Sequence, residues 1–374
     1  MSKVVIIQKA LPVYRIDFFE GLKSELNKIN IELVLVYGQR DRITAAKKDE
    51  SNIDWAIKIK NHYFHLFGKS LIWQPALKYT KNADLIIVEQ ANKLIINYLL
   101  IIFKSFRNHK LAFWGHGRNH QDAKDSFQNK LKNFFLTLPD WWFAYTSGVK
   151  EYLIRNKIAE NRITIVQNAI NTAVIQKEYQ EISEKEVEQA RSEFDLNSKN
   201  IAIYCGGIYK EKRIDFLLQS AAVIRSNIPD FVLIVIGSGP ESYKIKEATQ
   251  EKDYIKYVGP KFGKEKLIFF RLSTVFLMPG LVGLAVLDSF ATATPMVTTE
   301  FPFHSPEIEY LENNVNGIIT KNNLQSYSKA VIEILSYSET KKRLISGAKK
   351  ATQQYTIENM VEHFRDGIIS CLKK

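Results

Sequence analysis

The chain has 374 residues, of which 45% are hydrophobic, 12% aromatic and 25% charged. That suits about two domains of 100–200 residues and excludes disordered, collagenous or low-complexity proteins. Two cysteines, Cys205 and Cys371, exclude a disulfide framework or a cysteine-rich zinc site and fit a reducing compartment. Residues 1–170 hold 26 Lys+Arg against 15 Asp+Glu, and residues 171–374 hold 26 against 25, so the first half carries nearly all of the net +12. Such an imbalance points the first half at an anionic membrane surface, nucleic acid or charged substrate, with solubility as the plain alternative.

The first half alternates short apolar runs with amphipathic stretches. Strands are predicted at Val4–Ile7, Ile31–Val36, Leu85–Val88, Leu111–Trp114, Trp142–Tyr145 and Ile163–Val166. Helices are predicted at Phe18–Leu26, Leu94–Phe106 and Ser126–Leu136. Nearly continuous apolar strands separated by helices imply a parallel sheet covered on both faces. Residues 171–200 turn acidic and polar, which reads as a linker with an entry helix at Glu178–Glu193. The rhythm then restarts, with strands at Ile201–Tyr204, Phe231–Ile236, Tyr254–Val258, Val275–Met278 and Met296–Thr299. Helices follow at Phe216–Ile224, Ala285–Ala293, Leu324–Ser336 and Ile357–Leu372. The reading is α/β, with two tandem doubly wound domains and ligands at the carboxyl ends of the strands.

Neither Val4–Ile7 nor Leu94–Phe103 is long enough for a secretory core or a span of about 20 apolar residues. A cytoplasmic location is expected, with peripheral contact at the inner membrane face. The stretch Lys124–Trp142 interleaves lysines with Phe127, Phe134, Phe135, Trp141 and Trp142. It suits docking on an anionic bilayer, though such a stripe is more often a core helix with a solvated face. The basic half shows no nucleic-acid recognition motif, so no nucleic-acid partner is expected.

Three glycine turns follow strands in the second half: Gly206-Gly207, Gly237 with Gly239, and Gly280 with Gly283. Glycine lets backbone N–H groups approach an anion, and a following helix start adds partial positive charge. With Lys212 and Arg213 beside the first turn, a phosphate-bearing ligand is expected. No D-x-D and no metal-ligand spacing occurs, so neither a metal nor another cofactor is expected. Cations and helix dipoles are then left to hold the phosphate-bearing ligand.

These blocks resemble the family-4 retaining glycosyltransferases. The resemblance is carried by C-G-G-I-Y-K-E-K-R-I-D-F-L-L (205–218), V-I-G-S-G-P-E (235–241), M-P-G-L-V-G-L-A-V-L-D-S-F-A-T-A-T-P-M-V-T-T (278–299), S-P-E-I-E-Y-L (305–311) and N-V-N-G-I-I (314–319). P-V-Y-R-I-D-F-F (12–19), W-G-H-G-R (114–118) and I-V-Q-N-A-I-N (165–171) extend it through the first half. The resemblance implies the GT-B fold, with two facing Rossmann-like domains and a last helix crossing back to the first. The implied domains are 1–172 with 357–374 on the acceptor side, and 190–356 on the donor side.

By resemblance the donor is a nucleotide-diphosphate sugar, bound through Gly207, Lys212, Arg213, Gly237, Gly239, Gly280, Leu281, Val282, Gly283, Leu284, Asp288, His304 and Glu307. His116 and Lys212 are the implied catalytic residues, and Tyr14 and Arg15 the acceptor-side pair. His304 is placed near the sugar, and Arg15 on an acceptor diphosphate, where guanidinium geometry fits. A solvated arginine at a helix start, and a loop histidine capping backbone at His116, are the plainer readings. Two departures stand out: Gly207 replaces the family's diphosphate-binding arginine, and Gly280 with Asp288 replaces its E-x7-E pair. The implied activity is metal-independent, retaining, hexosyltransferase-type transfer to a lipid-linked saccharide in surface polysaccharide synthesis, such as O-antigen or capsule. A non-catalytic GT-B partner that binds a nucleotide sugar is the alternative.

Overall fold

The computed structural model of the protein describes residues 1–40, 51–66, 69–103, 109–117 and 135–374. Two compact units emerge: Met1–Ile170 together with Ile357–Lys374, and Asn171–Thr356.

The first unit contains strands β1 (Ser2–Gln8), β2 (Ile31–Tyr37), β3 (Ile57–Lys58), β4 (His62–Leu66), β5 (Lys69–Trp73), β6 (Leu85–Glu89), β7 (Lys110–Gly115), β8 (Trp141–Ala144) and β9 (Ile163–Ile165). Among the described residues, seven of these make a parallel sheet in the order β3-β2-β1-β6-β7-β8-β9. The β4–β5 pair is an antiparallel hairpin that the apolar pattern does not signal. Helices α1 (Ile16–Lys28), α2 (Ile95–Ile102) and α3 (Ser147–Arg155) connect the strands.

Side chains alternate across the sheet with period two. Phe113 and Trp142 meet edge to face at 5.4 Å. Their neighbours Trp114 and Phe143 instead contact Phe364, at 4.8 and 4.5 Å between ring centroids. Phe364 belongs to the C-terminal helix of this unit, which packs against α1. Gly21 permits that approach, since a Cβ there would lie 3.1 Å from a Val361 methyl.

Residues 104–106, Arg118 and 124–134 lie outside the described residues, and with them most of the basic aromatic stretch. Its Trp141 and Trp142 are described, and both are buried in β8. These two rings belong to the core.

The second unit opens with α4 (Thr172–Gln180) and α5 (Glu184–Phe194). The stretch expected as linker and entry helix is therefore two helices, and both pack on the helix Gly263–Leu272. A reciprocal Ser183–Glu186 capping box starts α5, and Asp195 in the left-handed region ends it. Strands β10 (Ile201–Cys205), β11 (Val232–Ile236), β12 (Ile255–Gly259), β13 (Val275–Leu277), β14 (Met296–Thr299) and β15 (Gly317–Thr320) pair in parallel, in the order β12-β11-β10-β13-β14-β15. Helices α6 (Ile214–Asn227), α7 (Ser242–Glu251), α8 (Gly263–Leu272), α9 (Ala285–Ala291), α10 (Leu324–Ser336) and α11 (Ser338–Gln354) follow in order, and α12 (Ile357–Lys373) is the last helix of the first unit. Burial of every residue of β10 and β11 matches a parallel sheet covered on both faces.

Candidate functional site

Strand order fixes where a ligand sits in each unit. In the second unit the chain runs from β10 out to β12, then returns to β13 on the other side of β10. The crevice at the carboxyl ends of β10 and β13 is the switch point. The turns there are the two strongest sequence motifs, 205–213 and 278–284.

Gly280 is where these turns meet. Leu281 N–H donates to the Glu211 carbonyl at 2.9 Å. A Cβ at Gly280 would overlap the Glu211 carbonyl oxygen and lie 2.7 Å from the Lys212 carbonyl carbon. Glutamate does not fit on this backbone, so packing accounts for its absence. Gly237 and Gly239 are close-packing glycines too, facing the carbonyls of Gly206 and Ile208. Gly237 N–H donates to the Gly259 carbonyl at 3.0 Å, and Gly239 N–H to Ser242 Oγ at 2.9 Å. Both amides are engaged within the unit. The Gly207 carbonyl accepts from Tyr204 Oη at 2.7 Å.

Lys212 is 6% exposed. Its Nζ donates to the Leu281 carbonyl at 2.5 Å and lies 3.7 Å from Met278 Sδ. The cation is thus bound to the turn that opens α9. Arg213 starts α6 with φ +58°. Its Nη1 donates to Asn322 Oδ1 at 2.6 Å, Thr299 Oγ1 at 3.2 Å and the Pro279 carbonyl at 3.3 Å. Arg213 therefore ties together the segment after β13, the end of β14 and the segment after β15.

Asp288 on α9 accepts from Lys266 Nζ on α8 at 2.7 Å. Burial alone would depress the Lys266 pKa, but Asp288, Cys205 and Glu178 outweigh it and raise it. The Cys205 thiol, at the end of β10, is pushed up to about 12 chiefly by burial. His304 is 8% exposed. Its Nδ1 accepts from Val282 N–H at 3.0 Å, and its Nε2 pairs with the Thr299 carbonyl at 2.8 Å. Those contacts assign the proton to Nε2. Both ring nitrogens hold backbone, so His304 shapes the 280–284 turn. Ser305 N–H reinforces this on the Val282 carbonyl at 2.9 Å. Glu307 is buried in the 3-10 turn Pro306–Tyr310, which packs on α9. Gly283 and Leu284 lead into the first turn of α9.

In the first unit His116 is exposed directly after β7. Its ring meets Tyr145, after β8, at 4.6 Å and 87°. Tyr14 is 36% exposed, whereas Arg15 is 3% exposed. The Arg15 guanidinium lies 4.4 Å from the Trp114 ring centroid and 5.2 Å from that of Tyr14. The guanidinium expected on an acceptor diphosphate is thus buried among rings.

Residues 186–351, most of the second unit, match the family described as "Glycosyl transferases group 1". Over that span the second unit is similar to the group 1 glycosyltransferases. Over 244 residues the chain is 23% identical to the alpha-monoglucosyldiacylglycerol synthase of Acholeplasma laidlawii, covering 63% of this chain and 60% of that one. The chain spans between 49% and 64% of the length of the first three curated relatives it matches. A glycosyltransferase of Rickettsia africae superposes with a TM-score of 0.74 at 14% identity, covering 100% of this chain and 99% of the other. HepE of Anabaena, solved in complex with UDP, gives 0.72 at 12% identity, covering 99% and 100%. The fold is GT-B.

Within the second unit, the sequence does not announce Lys266. Its partner lies 22 residues further on, and no helical or strand spacing links them. Among the described residues, no helix is long and apolar enough to cross a membrane.

Proposed function

We propose that the protein is a retaining glycosyltransferase that moves a sugar from a nucleotide-diphosphate donor to a lipid-linked saccharide during surface polysaccharide synthesis. The carrying observation is Lys212, a buried cation at the β10/β13 switch point, held on the Leu281 carbonyl in the turn that opens α9. A cation and a helix start at one strand-end crevice suit a diphosphate. Asp288, oriented by Lys266, suits ribose hydroxyls. The UDP-bound HepE neighbour supports a nucleotide donor, and the Acholeplasma relative, a synthase of glucosyldiacylglycerol by name, supports a lipid-bearing acceptor.

In the proposed reaction the anomeric carbon–phosphate oxygen bond breaks as the acceptor oxygen attacks from the same face. The acceptor proton passes to the departing phosphate oxygen. Lys212 and the α9 start offset the charge that develops on the diphosphate. His116 would hold the sugar end, and no metal is called on. The basic first half suits the inner membrane face.

The test is Lys212→Ala assayed with membrane extract as acceptor and a panel of nucleotide sugars. Transfer should fall about a hundredfold or more, a loss typical for removing one charge-stabilising donor, with the protein still folded. Unchanged transfer sinks the assignment. Any donor-dependent turnover by the wild type excludes the non-catalytic alternative.

A further inference from the structure

The first unit buries a guanidinium among rings just behind the exposed His116. Arg15 ends the 3-10 turn Val13–Arg15 that follows β1. Its guanidinium carbon stands 4.4 Å from the ring centroid of Trp114 and 5.9 Å from those of Phe18 and Tyr145. Nη2 donates to Tyr145 Oη at 3.2 Å, and Nη1 lies 3.8 Å from Met360 Sδ on α12. Packing alone does not call for an arginine here, because an apolar side chain of similar volume fills such a space without the desolvation cost of a buried cation. The charge has a specific recipient in the Tyr145 phenol.

Tyr145 faces two ways. Its oxygen takes the Arg15 proton donor, and its ring meets the His116 imidazole in an edge-to-face contact at 4.6 Å and 87°. A hydrogen bond from an ionised donor is about twice as strong as a neutral one, so it fixes the phenol ring more firmly. A fixed ring in turn restricts the imidazole, whose own backbone is a short link between β7 and Gly117.

We propose that Arg15 is a positioning residue that acts through Tyr145 to set the orientation of His116. This deepens the reading of His116 as a residue at the reacting sugar, and rests on it. The aromatic box of Trp114, Phe18 and Tyr14 holds the guanidinium in place, and α12 closes it through Met360.

The test is imidazole NMR on the full chain with ring-labelled histidine, the His116 signal being assigned by its loss in His116→Gln. Tyr145→Phe keeps the ring and removes the phenol oxygen, while Arg15→Met keeps the volume and removes the donor. Both should displace the His116 ring signals and leave those of His304, in the other unit, in place. Arg15→Lys, which retains a cationic donor group without the planar fork, should give an intermediate displacement. A merely structural arginine would lower the melting temperature without moving His116 selectively, and unmoved His116 signals in folded Tyr145→Phe overturn the proposal. Failure of the underlying reading shows separately, as wild-type transfer in His116→Ala while the ring signals remain coupled to Arg15.

Discussion

Lys266 on α8 and Asp288 on α9 form an ion pair at 2.7 Å with both side chains largely withdrawn from solvent. The pair fixes the direction of the Asp288 carboxylate before any ligand arrives. It also makes a pH-dependent contribution to stability. The Lys266 pKa is raised in the folded state, so the stabilisation is full below the unfolded value of about 10.4 and is lost as pH rises through the folded value. Lys266→Met should therefore melt below the wild type at pH 7–9, with the gap closing as pH climbs above about 10.4. Removing one partner of a charged hydrogen bond costs about 2 kcal/mol. A gap unchanged through pH 11 would show that the pair contributes nothing as an ion pair.

Restoring the family's glutamate should harm this protein. Gly280 faces the carbonyl oxygen of Glu211 and the backbone of Lys212, which no flexible side-chain end can vacate. Gly280→Glu has to push the 278–284 turn off the 210–212 turn, at about 1–3 kcal/mol for overpacking. The Lys212–Leu281 contact goes with it. The expected outcome is a lowered melting temperature together with lost transfer. A stable Gly280→Glu variant with raised transfer would mean that the two turns yield easily.

Particular residues show what the chain makes legible before folding. β10 and β11 are readable because burial on both faces demands unbroken apolar runs, and Ile201–Cys205 and Val232–Ile236 are such runs. The switch-point turns are readable because close backbone approach demands glycine. Arg15 is not: four rings from residues 14, 18, 114 and 145 surround it, and no local pattern announces such a convergence. Gly280 is half-readable, since the sequence displays the missing carboxylate but not the carbonyl that forbids it. The acidic stretch after residue 171 misleads because its polarity resembles a linker, whereas Tyr179 and Phe194 use their rings to seat α4 and α5 on α8.

That seating has an acid-sensitive component. Glu186 on α5 pairs with Lys264 on α8 at 2.7 Å and closes the capping box with Ser183. The Lys264 side chain, followed by the Ser183 backbone and hydroxyl, lowers the Glu186 pKa to about 2. A depressed carboxylate stabilises above its unfolded value and loses that effect as pH falls towards the folded value. Glu186→Gln should melt below the wild type at neutral pH, with the two curves converging between about pH 4.3 and the lowered value of about 2. Parallel curves over that range would count against the pairing.

His304 makes the sharpest demand on chemistry, because one ring serves an N–H and a carbonyl at once. Val282 N–H needs an acceptor at Nδ1, and the Thr299 carbonyl needs a donor at Nε2. Phenylalanine keeps the ring but offers neither; the Thr299 carbonyl still accepts from Phe301 N–H at 2.7 Å, so the group left unpaired is the Val282 N–H, at about 1–3 kcal/mol. Glutamine carries both an acceptor and a donor on one flexible arm. The expected order of melting temperature is wild type, then His304→Gln, then His304→Phe. Because the ring shapes the turn that holds Lys212, the proposed transfer should fall in the same order, mainly through a raised KM for the donor. If His304→Phe melts and transfers like the wild type, the turn is held by the Val282–Ser305 backbone bond and by Glu211, and His304 is dispensable to it.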